Sequence, residues 1–152
     1  MRSFSDAQLP LANVLGVGVS AINMAEALRL SDRLLQEHGK GYICVTGVHG
    51  VMESQRDGVL RDILNRSFLC LPDGMPTVWV GRLQGHRTMG RVYGPDFMLQ
   101  LCELSARRDW RHFLYGGKRG VAEKAAGAPG GSVSRHQHCW HLHSAVPAID
   151  SY

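Results

Sequence analysis

Residues 68–80 read FLCLPDGMPTVWV, an apolar run that passes through an Asp-Gly pair into a segment with a proline near its start. An apolar run of four to eight residues that ends on a turn signal predicts a buried β-strand. Pro76 suits the first turn of a helix, where a backbone N–H has no helical acceptor. The stretch therefore predicts a strand over 68–74 and a helix over 75–85, with Asp73 at the corner between them.

The segments on either side repeat this alternation of strand and helix. Further strands are predicted at 13–22 (NVLGVGVSAI), 41–47 (GYICVTG) and 111–117 (RHFLYGG). Helices are predicted from Asn23 to a stop at Gly39, once or twice within 51–67, over 94–110, and again from Lys118. Strands separated by helices indicate an α/β fold with a Rossmann-like, mainly parallel sheet flanked by helices. Ligands of such sheets bind at the carboxyl ends of the strands.

Composition limits the classes of protein that need to be considered. The 152 residues are 44% hydrophobic and 20% charged, which is enough for one domain with a core. No apolar run approaches the roughly 18 residues of a membrane helix, and the N-terminus does not resemble a secretion signal. Four widely spaced cysteines indicate reduced thiols in the cytoplasm. The net charge of +4 fits an anionic small ligand or membrane surface; without a basic stripe and interleaved aromatics, it does not favour nucleic acid.

Loops that follow the predicted strands hold the candidate functional residues. Asp73 could act as a general base or bind a sugar hydroxyl, or it could simply make a turn and cap a helix. Thr46 and His49 lie after the strand at 41–47, and a loop histidine is more often structural than catalytic. Arg91 could bind a diphosphate or form a surface ion pair. The glycines before Lys118 could bring helix N-terminal amides to a phosphate, or could merely start a helix.

Taken together, four runs closely resemble the WecG/TagA/CpsF family of bacterial glycosyltransferases. They are YICVTGVHGVMES, LPDGMPTVWVGRLQG, RVYGPDFMLQLCELS and HFLYGGKRGVAEKAA, and the resemblance covers residues 13–126 in continuous order. It implies transfer of an N-acetylmannosamine-type sugar from a UDP donor to a membrane-held polyprenyl-diphosphate acceptor. The product would enter teichoic acid, common antigen or capsule. The protein would then be cytoplasmic, peripheral to the inner face of the membrane, and possibly a homo-oligomer.

The resemblance also implies roles for individual residues. Asp73 would deprotonate the acceptor hydroxyl, with Thr46 lining the same pocket, and no metal or cofactor would take part. Many members carry an asparagine where this chain reads GVHG, so His49 would have to fill that position. The residues implied in substrate binding are His49, Arg91, Gly116, Gly117 and Lys118.

The tail, residues 127–152, does not resemble the family. Plausible codons for it, read one nucleotide later, translate as ERLAARFPGINIVGTYTPPFRPLTP, which matches how the family continues. We therefore interpret the chain as residues 1–126 of the catalytic domain followed by an out-of-frame, disordered tail, arising from a mutation or a sequencing error. The sheet would be incomplete on its C-terminal side, and activity would be impaired.

Two other hypotheses remain open at this point. The chain could be a non-catalytic remnant that binds a nucleotide sugar or a partner. Alternatively, the tail could bind a metal through its cluster of four histidines and one cysteine, although the out-of-frame interpretation leaves no selected ligand set. The residues of that cluster are His136, His138, Cys139, His141 and His143.

Overall fold

The computed structural model describes residues 9–112, which contain two short sheets and five helices. The chain divides into two compact units, residues 1–100 and 101–152. All four strands and the first four helices belong to the first unit. The strands are β1 (Leu11–Val14), β2 (Val17–Ser20), β3 (Ile43–Thr46) and β4 (Leu69–Pro72). The helices are α1 (Met24–Gln36), α2 (Val48–Arg56), α3 (Gly58–Arg66), α4 (Met75–Leu83) and α5 (Gly94–Arg108).

β3 and β4 form a parallel pair, with Thr46 opposite Pro72 at its carboxyl end. Every residue of β4 is buried, as its continuous apolar run predicts. β2 packs beside β4, where the Ser20 hydroxyl accepts a hydrogen bond of 3.0 Å from the Cys70 amide. These contacts confirm the strands predicted at 41–47 and 68–74, and the α/β class.

The prediction of one strand over 13–22 is wrong. β1 and β2 form an antiparallel hairpin around a two-residue turn at Leu15 and Gly16. Both turn residues have positive φ, 51° and 83°, as a type I′ turn requires. Asn-Gly or Asp-Gly is the usual signal for this turn. Because leucine occupies the first turn position, the sequence pattern did not indicate a hairpin. Gly16 was the one residue that matched the usual signal.

Local sequence signals explain where the helices begin. Asn23 and Glu26 form a reciprocal capping box at the start of α1. α2 and α3 are separate helices because the Asp57 side chain accepts hydrogen bonds from the amides of Val59 and Leu60. α4 carries Pro76 in its first turn, which confirms the helix predicted over 75–85.

The core lies between the hairpin, β4 and the helices that follow the parallel strands. It is built from small and branched side chains, including Val17, Val51, Val78 and Met89. Gly81 of α4 lets the helix approach closely, since a Cβ there would meet the Met89 sulfur and lie 3.2 Å from the Ala12 Cβ. The described cysteines, Cys44, Cys70 and Cys102, are free thiols. Burial raises the pKa of the Cys44 thiol, so Cys44 stays protonated at neutral pH.

Two further predictions concern the end of the described chain. The strand predicted over 111–117 is not present at Arg111 and His112, and its remainder lies outside the described residues. The tail from 127 to 152 also lies outside them. Within residues 9–112, none of the helices combines the length and apolar character needed to cross a bilayer.

Candidate active site

The site is built from two strand–helix corners that lie side by side. β3 ends at Thr46 and leads into α2, and β4 ends at Pro72 and leads into α4. Because the two strands are parallel and in register, both corners lie at the same edge of the sheet. The Asp73 amide donates a hydrogen bond of 3.1 Å to the Thr46 carbonyl, which joins the corners directly.

Each corner turns on a glycine that precedes a helix. Gly47 is the N-cap of α2 and Gly74 is the N-cap of α4, both with extended backbone and without a side-chain cap among the described residues. A Cβ on Gly74 would lie 3.7 Å from the Gly47 Cα and 3.9 Å from the Val48 nitrogen. Two uncapped helix N-termini therefore meet within a few ångströms, an arrangement that suits an anionic group.

Arg91 contacts the corner between β4 and α4 through Asp73. Its Nε donates a hydrogen bond of 2.7 Å to the Asp73 carbonyl, and its Nη2 lies 3.7 Å from Asp73 Oδ1. The guanidinium also stacks over the Tyr93 ring, 4.6 Å from the ring centre. Backbone hydrogen bonds position this segment, from the Gly90 amide to the Ile22 carbonyl and from the Val92 amide to the Pro72 carbonyl.

One oxygen of the Asp73 carboxylate takes no part in the hydrogen bonds of the described residues. The side chain is 30% exposed, yet Oδ1 is shielded from solvent and accepts no hydrogen bond from any residue in the described range. Its nearest cation, on Arg91, lies beyond hydrogen-bonding distance. Since Oδ1 is shielded, the 30% exposure of the side chain falls on the rest of it, and that exposed part of the carboxylate can accept a proton from a bound hydroxyl, as a general base must.

The structure brings together some of the predicted site residues. Thr46, Asp73 and Arg91 meet at one edge of the sheet, and Thr46 is 3% exposed. His49 is the second residue of α2, with an exposed side chain, on the same corner as Thr46. No hydrogen bond joins His49 to Asp73 within residues 9–112. The predicted binding residues Gly116, Gly117 and Lys118 lie outside the described residues.

Three residues of this site were missed from the sequence. Gly47 was placed at the end of a predicted strand and Gly74 in a turn, although a glycine one or two residues after each strand was the available signal. Tyr93 offered no local signal, because its role depends on Arg91 folding back over its ring. Within residues 9–112, no three His, Cys, Asp or Glu side chains gather to hold a metal ion. Whether the protein uses a metal stays untested, as does the histidine cluster of the tail.

A cavity of about 370 Å³ opens between α2 and α4, next to the two corners. Its walls come from the first two turns of each helix and its far end from the turn of the hairpin. Most of the lining is apolar, including Leu15, Val48, Met52 and Val80. The sequence did not predict this cavity, because it depends on the packing of three elements that are distant in the chain.

Comparison with known proteins gives two matches. A family model described as "Glycosyl transferase WecG/TagA/CpsF family" matches residues 12–147. Over 60 residues, the chain is 37% identical to the N-acetylglucosaminyldiphosphoundecaprenol N-acetyl-beta-D-mannosaminyltransferase of Bacillus subtilis (strain 168). That alignment covers 40% of this chain and 23% of the relative, so the chain spans about a quarter of the relative's length. Since the family match reaches into residues 127–147, the out-of-frame origin of the tail stays a prediction.

Proposed function

Since the chain belongs to the WecG/TagA/CpsF family of glycosyltransferases, we propose that it transfers an N-acetylmannosamine-type sugar from a UDP donor to a polyprenyl-diphosphate-linked acceptor. The Bacillus subtilis relative is named as an N-acetyl-beta-D-mannosaminyltransferase that acts on N-acetylglucosaminyldiphosphoundecaprenol, which supports this choice of donor sugar and acceptor class. The product would serve the synthesis of a cell-surface polysaccharide.

The reaction assigns a role to each group at the two corners. Asp73 takes the proton of the acceptor hydroxyl as that oxygen forms a bond to the anomeric carbon. The bond between the anomeric carbon and the phosphate oxygen breaks, and UDP leaves with the electron pair. The negative charge on the leaving diphosphate is stabilised by Arg91. Gly116, Gly117 and Lys118 would add to that stabilisation from outside the described range.

The observation that carries the proposal is the state of Asp73. Its shielded Oδ1 accepts no hydrogen bond within the described part of the chain, while its backbone is held on both sides, by Thr46 and by Arg91. A turn aspartate that merely capped α4 would use its carboxylate on the helix amides, as Asp57 does at the start of α3. Asp73 does not cap α4, so its carboxylate remains available for a substrate.

The experiment replaces Asp73 with Asn and measures UDP release in the presence of a polyprenyl-diphosphate-linked acceptor. We expect Asp73→Asn to lower the transfer rate by about 10²–10⁴-fold, the usual contribution of a general base. The midpoint of thermal unfolding should change little, because the ion pair lost with Arg91 is long, at 3.7 Å, and partly exposed.

Asp57→Asn is the matched control, since it makes the same substitution at an aspartate that does cap a helix and asparagine caps equally well. Its transfer rate should equal that of the unmodified chain. Equal rates for Asp73→Asn and the unmodified chain would exclude Asp73 as the base. Binding of UDP-sugar without any transfer by the unmodified chain would instead favour the non-catalytic remnant.

The lipid-linked acceptor also implies a place of action. We propose that the protein works peripherally at the inner face of the cytoplasmic membrane, where such acceptors are held. A net charge of +4 is compatible with an anionic bilayer surface. Self-association is a separate prediction, which analytical ultracentrifugation of the full chain would test.

A further inference from the structure

We propose that the cavity between α2 and α4 binds the first isoprene units of the acceptor's polyprenyl chain. This inference rests on the proposed function, and it adds a binding site for the lipid to the residues that carry out transfer. The cavity measures about 370 Å³, which lies within the usual size range of small-ligand sites.

The lining is suited to hydrocarbon. Apolar side chains from both helices face the cavity, and the polar atoms that border it are already engaged within the fold. Asn13 Oδ1 accepts a hydrogen bond from the Gly16 amide at 2.8 Å, and the Thr77 hydroxyl donates to the Gly74 carbonyl at 2.6 Å. The apolar lining residues include Val14, Leu15, Val48, Val51, Met52 and Val80.

The open side of the cavity leaves apolar surface in contact with solvent. Leu15, Val48 and Met52 are 61%, 46% and 50% exposed. Leu15 belongs to the hairpin turn, whereas Val48 and Met52 lie one turn apart on α2, and all three line the same cavity. Covering them with a hydrocarbon chain is favourable by about 25 cal/mol for each square ångström removed from water.

The distribution of charge around the cavity favours one orientation of an amphipathic ligand. Val48 and Pro76 line one end: Val48 directly follows the Gly47 N-cap of α2, and Pro76 is the second helical residue after the Gly74 N-cap of α4. That end attracts negative charge, whereas the walls below it are apolar. A polyprenyl diphosphate has the same order of groups, an anionic diphosphate joined to a hydrocarbon chain. Its diphosphate would lie at the helix N-termini and its hydrocarbon would extend along the groove.

The opposite end is closed by the turn of the hairpin. The Gln55 side chain, in the last turn of α2, donates a hydrogen bond of 2.9 Å to the Leu15 carbonyl. From Val48 to Gln55 the helix rises about 10 Å at 1.5 Å per residue. The groove is therefore short, so it would hold the beginning of the polyprenyl chain and leave the remainder in the bilayer.

Binding of farnesyl diphosphate to the full chain tests this proposal, with calorimetry as the readout and inorganic diphosphate as the comparison ligand. We expect farnesyl diphosphate to bind at least about tenfold more tightly than inorganic diphosphate, since burying two methylene groups already contributes that much. Met52→Glu should weaken farnesyl diphosphate binding by about tenfold more than it weakens inorganic diphosphate binding, which the added negative charge near the α2 N-terminus lowers by itself. Met52→Trp, which fills the groove without adding charge, should weaken farnesyl diphosphate binding as well.

Val59→Glu is the matched control, because Val59 is a 70% exposed apolar residue on α3 that does not line the cavity. It should leave the binding of both ligands unchanged. Equal affinities for farnesyl diphosphate and inorganic diphosphate would overturn the proposal, as would equal losses in Met52→Glu and Val59→Glu. A dimer that Met52→Glu converts to monomer, with no farnesyl diphosphate bound, would assign this face to self-association instead.

The binding measurement needs neither a UDP-sugar nor turnover, so it fails independently of the proposed function. Farnesyl diphosphate binding that depends on Met52, in a chain without transferase activity, would support the groove and count against the reaction. Transfer that is lost in Asp73→Asn, combined with farnesyl diphosphate binding that is indifferent to Met52, would overturn the groove alone.

Discussion

The hairpin of β1 and β2 and the carboxyl end of the parallel pair β3 and β4 differ in how their polar groups are hydrogen-bonded. At the hairpin end, side chains bond the exposed backbone: the Gln84 amide bonds both the N–H and the carbonyl of Asn13, at 2.9 and 2.7 Å. Asn65 likewise accepts from the Gly18 amide and donates to the Gly16 carbonyl. At the carboxyl end of β3 and β4, two helix N-termini have no side-chain cap and Asp73 Oδ1 has no hydrogen bond within residues 9–112.

This difference indicates that, within the first unit, the residues that stabilise the fold are distinct from those that act on a substrate. Polar groups that the fold already satisfies contribute to folding and offer little to a ligand. Polar groups that the fold leaves unsatisfied do not stabilise it, and any that are buried cost free energy of folding; such groups are available to a substrate. We therefore expect substitutions at the hairpin end to alter the free energy of unfolding, and substitutions at the two corners to alter catalysis.

Among substitutions that compare the two regions, the largest effect is expected from glycine to alanine, made once in each region. At Gly74 the φ is ordinary, −117°, and an added Cβ meets its nearest atom at 3.6 Å, so the fold tolerates it. That Cβ would lie 3.9 Å from the Val48 nitrogen, where it would obstruct an anion at the start of α2. We expect Gly74→Ala to lower the transfer rate by about tenfold or more, and the free energy of unfolding to change by less than about 1 kcal/mol.

Gly16→Ala is its counterpart at the hairpin end. A Cβ there has room, with the Arg61 side chain 3.9 Å away, but a φ of 83° strains any residue except glycine. It should cost about 1–2 kcal/mol of unfolding free energy and leave the transfer rate of the folded protein unchanged. Urea denaturation together with a UDP-release assay measures both quantities. A Gly16→Ala variant that lost activity while keeping full stability would contradict the division between the two ends.

Local patterns predicted much of the fold because each element carries its own signal. The apolar run of β4, Pro76 in α4, and the Asn23–Glu26 spacing of α1 all act within a few residues. The hairpin was missed because Leu15 occupies a turn position that usually holds asparagine, aspartate or glycine. At that position the tertiary contacts of the hairpin outweighed local preference.

The candidate site was only partly predictable for a different reason. Thr46 ends β3 and Asp73 directly follows β4, so local pattern placed both at strand ends, and parallel pairing brought them together. The ion pair between Asp73 and Arg91 depends on residues 90–92 pairing with the ends of β2 and β4, which no local pattern encodes. For Arg91, the family resemblance indicated phosphate binding, and its contact with Asp73 was not foreseen.

A smaller effect is expected from Gln84→Ala at the hairpin end. The substitution removes both hydrogen bonds to the Asn13 backbone, and because this region is exposed, water replaces them in part. The free energy of unfolding should fall by about 1 kcal/mol, measured by urea denaturation. Gln36→Ala is the control, since Gln36 bonds only a nearby side chain, Asp32, on the surface of α1. Equal losses of unfolding free energy in Gln84→Ala and Gln36→Ala would show that the Gln84 hydrogen bonds do not stabilise the hairpin.

The smallest effect is expected from Leu15→Asn, and its sign is opposite. Asparagine adopts positive φ more readily than leucine, so the substitution should stabilise the fold by about 0.5–1 kcal/mol in urea denaturation. Leu83→Asn is the control, because Leu83 is 88% exposed but helical, where asparagine is slightly unfavourable. A leucine kept at a strained and exposed turn position has no explanation in the hairpin itself. The groove supplies one, since Leu15 lines it, so Leu15→Asn should gain stability while weakening farnesyl diphosphate binding.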